Sequence, residues 1–207
     1  MIFVSQITGA GVVIAVLVLL MNGCTQPPTR QLEAAQKAVD DARTAGAETY
    51  AKNDFMKLEQ EFAVAKDELA KQETVFSIFR SYADADEMLS TVVEYGGHVA
   101  AKASQNKEAA KTAALSMEQA AQHVVASAKG LMARAPTGKE RAAVEAIKLD
   151  LTGLEAGLAA IHELIEKGDY LAAEVQARAL KEKGVAVSAE IQNAIEKTTG
   201  KESRAHA

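Results

Sequence analysis

The chain contains a single cysteine, no tryptophan and only three prolines. One cysteine excludes an intramolecular disulfide framework, so the fold must be held by packing alone. The Cys-x-x-Cys-His signature of covalent haem is excluded with it. Aromatic residues are scarce, five Phe and four Tyr among 207 positions, so a core has to be built mostly from Ala, Leu, Val and Ile. No basic stripe runs along the chain. The net charge is −5 with both signs interspersed, which argues against a nucleic-acid partner. Runs of alternating β-branched and polar residues are missing, as are hairpin turn signals. What remains is a helix-forming composition in which alanine supplies about a fifth of the residues, and Ala, Leu, Glu, Lys and Gln lose little entropy in a helix. Each alanine contact buries little area, so stability must come from length of contact.

The apolar periodicity gives an all-α expectation: an elongated antiparallel helical bundle, or helical hairpins, with coiled-coil-like seams. A first helix is expected over Thr29–Ala45, with Leu32, Ala35, Val39 and Ala42 on one face and Gly46 as its cap. Asn53-Asp54 offers an N-cap for a second helix carrying Phe55, Leu58, Phe62, Ala65 and Leu69. Its three-four spacing continues through Val75, Phe79, Tyr82, Leu89 and Val92 to Gly96-Gly97, read as the strongest helix breaker in the chain. A third stretch, His98 to Arg134, has its seam at Met117, Ala121, Val124, Ala128 and Leu131. Pro136 ends it, and Thr137-Gly138-Lys139-Glu140 matches a capping box. Val144, Ile147, Leu151, Leu154, Leu158, Ile161 and Ile165 follow without a break. Lys167-Gly168-Asp169 reads as a turn into a last helix over Tyr170–Lys197. The expected helical domain is 30–198, with sub-units 30–96 and 97–198 and a frayed tail at 199–207.

The amino-terminal segment has a different character. Ile7 to Met21 is an apolar run that falls short of the ~20 residues needed to cross a bilayer comfortably, and matches the apolar region of a signal peptide. Leu20-Met21-Asn22-Gly23-Cys24 resembles the lipobox of bacterial lipoproteins. That resemblance implies a signal peptide over 1–23, cleavage between Gly23 and Cys24, and acyl chains such as palmitate on Cys24. Two or more chains give a stable membrane anchor where one does not. An uncleaved transmembrane anchor is the competing reading, since Met1 to Gln6 contains no Lys or Arg. Residues 24–29 then form a short tether stiffened by Pro27-Pro28, which spans at most ~16 Å at about 3.3 Å per residue. Thr25, where sorting to the inner membrane would use Asp, favours the outer membrane by analogy with enteric bacteria.

Two stretches share a helix–Gly–helix scheme. Ala42-x3-Gly46-Ala47-x2-Tyr50-Ala51, with Lys52 where proline is usual, resembles an Ala-rich helical-hairpin family of envelope lipoproteins of unknown function, over residues 32–71. Ile165 to Ala173, around Gly168-Asp169-Tyr170, is similar to the turn of tetratricopeptide-type repeats, whose stacked hairpins bind peptides.

Catalytic constellations are missing from the pattern. His98, His123, His162 and His206 lie outside any Glu-x-x-His or His-Glu-x-x-His frame. Glu94 and His98 are four apart, with Gly96-Gly97 expected to break their shared face, and Met117 and His123 are six apart. Neither a catalytic nor a metal site is assigned, and no cofactor is expected. Most of the aromatics fall between Tyr50 and Tyr95, where the simplest account is core packing. The alternative makes Phe76, Phe79 and Tyr82 a partner-facing patch. The expected function is a non-enzymatic envelope lipoprotein, facing the periplasm and anchored to the lipid bilayer through Cys24. It would serve as scaffold, spacer or adaptor for another envelope protein. A bundle holding a small ligand or metal, or a peptide-binding module, is the alternative, and the narrow seams would equally close a homo-oligomer.

Overall fold

The computed structural model describes residues 26–134 and 141–205. Gly23 and Cys24, with the rest of the expected signal segment, and the expected capping box after Pro136 lie outside them. Among the described residues six helices form: α1 (Thr29–Thr44), α2 (Ala47–Tyr50), α3 (Lys52–Thr74), α4 (Ala83–Met132), α5 (Arg141–Glu166) and α6 (Tyr170–Ala205). A 3-10 turn, Ser77–Phe79, lies between α3 and α4. Among the described residues there is no strand, and the protein is all-α.

Two compact units divide at Gln105–Asn106, inside α4. The helix break expected at Gly96-Gly97 does not occur. Helix α4 runs unbroken through both glycines because Gly96 is a packing position. A Cβ there would lie 2.8 Å from the Cβ of Ala38 and 3.2 Å from its carbonyl carbon and oxygen. The close approach of α1 to α4 therefore requires the missing side chain. Val99 and Ala103, beyond the glycines, still belong to the first core.

In the first unit, α1 and α3 are antiparallel. Gly46 takes the left-handed conformation, φ 86°, that reverses the chain between them. Arg43 ties the reversal: Nη2 reaches Glu59 at 2.8 Å, Nε reaches Glu48 at 3.0 Å, and the guanidinium lies over the Phe55 ring. Helix α3 begins at Lys52, just before the expected Asn53-Asp54 cap. The expected seams hold. Ala35, Val39 and Ala42 of α1 and Phe55, Leu58, Phe62 and Ala65 of α3 are buried with Leu89, Val92 and Val99 of α4. Full burial of one of the larger aliphatic side chains contributes about 1.5–3 kcal/mol.

In the second unit, the α5 seam is buried at Ile147, Leu151, Leu154 and Ile161 against Val187 and Ile191, and against Ala173 and Ala177, of α6. On α4 the buried valine is Val125, adjacent to the expected Val124. The α5–α6 turn closes as a Schellman motif. Gly168, φ 79°, donates to the Ile165 carbonyl at 3.0 Å, and Asp169 N–H to the Leu164 carbonyl at 2.9 Å. Helix α6 continues past the expected end at Lys197 to Ala205. Nearly half of the buried apolar residues of the two units are alanines. No described helix is long and apolar enough to cross a membrane.

Candidate functional site

The segment between α3 and α4 departs most from expectation. Three-four spacing through Val75, Phe79 and Tyr82 predicts continuous helix, whereas α3 stops at Thr74 and α4 starts at Ala83. The local composition explains the break. Val75-Phe76-Ser77-Ile78-Phe79 joins β-branched and aromatic residues of modest helix propensity. The helix end is then secured by a side chain. Arg80 Nε donates to the Val75 carbonyl at 3.0 Å, and Nη2 to the Glu73 carbonyl at 2.9 Å, occupying acceptors that a helix terminus leaves bare.

Gln72 closes the other side. Its Oε1 accepts from Ser81 N–H at 3.2 Å, while its Nε2 donates to Glu68 Oε1 at 3.0 Å. The Glu68 carboxyl is held below the usual glutamate range, chiefly by that Gln72 bond and secondly by Lys71. Inside the loop, Phe79 N–H donates to the Phe76 carbonyl at 2.8 Å.

This polar frame presents three large apolar side chains to solvent: Phe76 at 71%, Ile78 at 74% and Phe79 at 74% exposure. Tyr82 is corrected out of the expected patch. It is 3% exposed, because α4 starts immediately after it and turns the ring into the protein. Its hydroxyl has no hydrogen-bond partner among the described residues. Ile78 takes its place in the patch. Sequence reading missed Ile78, and missed the roles of Gln72 and Arg80. The available signal was local: an apolar run of near-consecutive residues flanked by Arg and Gln, which helical periodicity averages away.

The remaining aromatics divide. Phe55 and Phe62 are core, and Tyr50 and Tyr95 are half-buried. Tyr95 faces a polar cluster in which Lys102 Nζ and Asp54 Oδ2 are 2.8 Å apart and Lys57 lies over the tyrosine ring. The Asp54 carboxyl is held low by its hydrogen bond to Lys102, Lys102 is raised by the same bond, and Tyr95 is raised chiefly by burial.

In the second unit, Glu118 on α4 is the buried charged residue. Its Oε1 lies 3.2 Å from His162 Nδ1, and His162 Nε2 lies 3.5 Å from Glu166. With α4 continuous, Glu94 and His98 do share an exposed face, contrary to expectation. His123 is exposed one and a half turns from half-buried Met117, and His206 lies outside the described residues. Among the described residues, no three His, Cys, Asp or Glu side chains converge to hold a metal ion. Three clefts are open grooves between helices. The one of about 330 Å³ is lined by Lys57, Gln60, Glu61, Val64, Met88 and Thr91. Others lie beside Met117 and Arg178 and beside Leu32 and Phe62. Long charged side chains border each of them.

No protein-family model matches the chain, and neither does any curated protein or solved structure with which it was compared.

Proposed function

We propose that this protein is a lipid-anchored, non-catalytic helical adaptor of a bacterial cell envelope, facing the periplasm. The observation that carries the reading is Leu20-Met21-Asn22-Gly23-Cys24 at the end of an apolar run too short to span a bilayer with ease. Pro27-Pro28 directly after it supplies a stiff, non-helical spacer. The resemblance of residues 32–71 to an Ala-rich family of envelope lipoproteins points the same way, and Thr25 favours the outer membrane. A rigid loop that holds three apolar side chains in solvent supports an adaptor, because such exposure has a cost that a partner or surface relieves.

The test is the chain expressed in a bacterial host from its own start. The wild-type protein should mature to residues 24–207 with a diacylglyceryl mass increment and should fractionate with membranes. Cys24→Ala should abolish both acylation and cleavage. A wild-type mass equal to the unprocessed chain would overturn lipidation and favour an uncleaved amino-terminal anchor.

A further inference from the structure

We propose that the Phe76–Phe79 loop is a second membrane contact, seated in the same bilayer surface that holds the acyl chains of Cys24. The inference rests on the lipid anchor proposed above and adds a site to it.

The first unit sets the geometry. Arg43 pairs with Glu59 near one end of the α1–α3 hairpin, while Leu32 shares a cleft with Phe62 and Lys66 toward the other. The start of α1 therefore lies alongside Lys66. Helix α3 continues past that level to Thr74, a further eight residues or about 12 Å at 1.5 Å per residue. The apolar loop follows, projecting at the end of the hairpin from which the tether leaves. Cys24 is five residues ahead of Thr29, within ~16 Å even if that segment is fully extended at about 3.3 Å per residue. A short tether and a projecting loop at one end bring Phe76, Ile78 and Phe79 to the depth of the headgroups.

The exposure of the loop selects its occupant. Phe76, Ile78 and Phe79 are 71–74% exposed and line none of the clefts described above, which suits a deformable apolar layer. Val75 to Phe79 carries no charge. Arg80 and Gln72 are committed to the frame, so the tip is preformed and loses little conformational freedom on insertion. Around it, Lys71 and Arg80 are offset by Glu68, Glu73, Asp84 and Asp86. Insertion is therefore driven by apolar burial, and it should depend little on salt or on lipid charge.

The chain has no tryptophan, so Phe79→Trp places a single indole at the tip, on a side chain whose exposure leaves the core untouched. Met56→Trp, exposed near the opposite end of α3, is the control. Each full-length acylated chain is reconstituted into phosphatidylethanolamine–phosphatidylglycerol vesicles with brominated acyl chains. Acylation is read by mass and attachment by flotation in the same samples. The expected result is blue-shifted emission and bromine quenching for Phe79→Trp, persisting at high salt, with neither for Met56→Trp. An acylated, floating Phe79→Trp chain with unquenched emission overturns the loop contact while leaving the anchor standing. Emission that is blue-shifted yet unquenched means a second copy of the chain covers the tip, and overturns it too. If the mass shows no acylation, the anchor reading falls. Quenching in that sample would still support the loop as a membrane contact, and its absence would remove both.

Discussion

Asp54, Lys102 and Tyr95 show how a few side chains set a pH window. The Asp54 carboxyl is depressed, so the stability it contributes is present above the ordinary aspartate range and is lost as pH falls through its lowered value. Lys102 is raised, so its contribution is present below the ordinary lysine range and is lost as pH rises through its higher value. The pair therefore stabilises the first unit between those limits, with Tyr95 as the titratable neighbour acting on it, and Lys57 and Glu61 acting in turn on Tyr95. Lys102 is exposed and Asp54 is about one-third exposed, so the effect is small and is screened by salt. Lys102→Met should lower the melting temperature slightly at neutral pH, and the difference should vanish in strong acid. A difference that stayed constant through the acid limb of a pH–melting profile would refute the coupling. At this scale the sequence was least informative. Asp54 and Lys102 are 48 positions apart, Glu118 and His162 are 44 apart, and nothing in a linear pattern marks either pair.

At the scale of the element, the seams were legible and the breaks were not. Phe55, Leu58, Phe62 and Ala65 lie where three-four spacing puts them, because one apolar stripe on a helix has one place to go. Gly96-Gly97 was misread because local propensity makes Gly unfavourable in a helix. The reason it is tolerated at Gly96 lies on a different helix, at Ala38. The two adjacent glycines should respond oppositely to alanine. Gly97 has nothing within 4 Å of where a Cβ would sit, so Gly97→Ala should stabilise by about 0.5–1 kcal/mol through helix propensity alone. Gly96→Ala meets Ala38 side chain and backbone on a packed face, and should destabilise by about 1–3 kcal/mol. Urea denaturation of the two variants checks this, and a shift of the same sign in both would contradict the close-packing account. The loop after α3 was misread for the reverse reason. Val75, Phe79 and Tyr82 keep a helical spacing by coincidence, while Arg80 caps the helix through hydrogen bonds that no periodicity encodes. The candidate site was thus half legible: Phe76 and Phe79 stood out as an aromatic cluster, but their separation from Tyr82 required the turn.

For the molecule as a whole, the all-α class followed from composition and spacing together, and the division into two units at Gln105–Asn106 did not. A boundary inside a continuous helix leaves no turn residue to announce it. The proposed anchor at Cys24 and the proposed membrane contact at Phe76–Phe79 belong to this scale as well, since together they would fix how the first unit stands on a bilayer. The alanine-rich cores carry a thermodynamic consequence. Alanine buries a single methyl where leucine buries an isobutyl group, so unfolding exposes less apolar surface per residue than in a leucine-lined bundle of equal length. Heat capacity tracks that exposure, and the increment on unfolding should fall below the ~12–15 cal/mol/K per residue usual for globular proteins. Calorimetry on the anchor-free chain would measure it, and a value at or above that range would contradict the reading. A small increment flattens the stability curve, so the balance between folded and unfolded chain would drift little as its surroundings warm and cool.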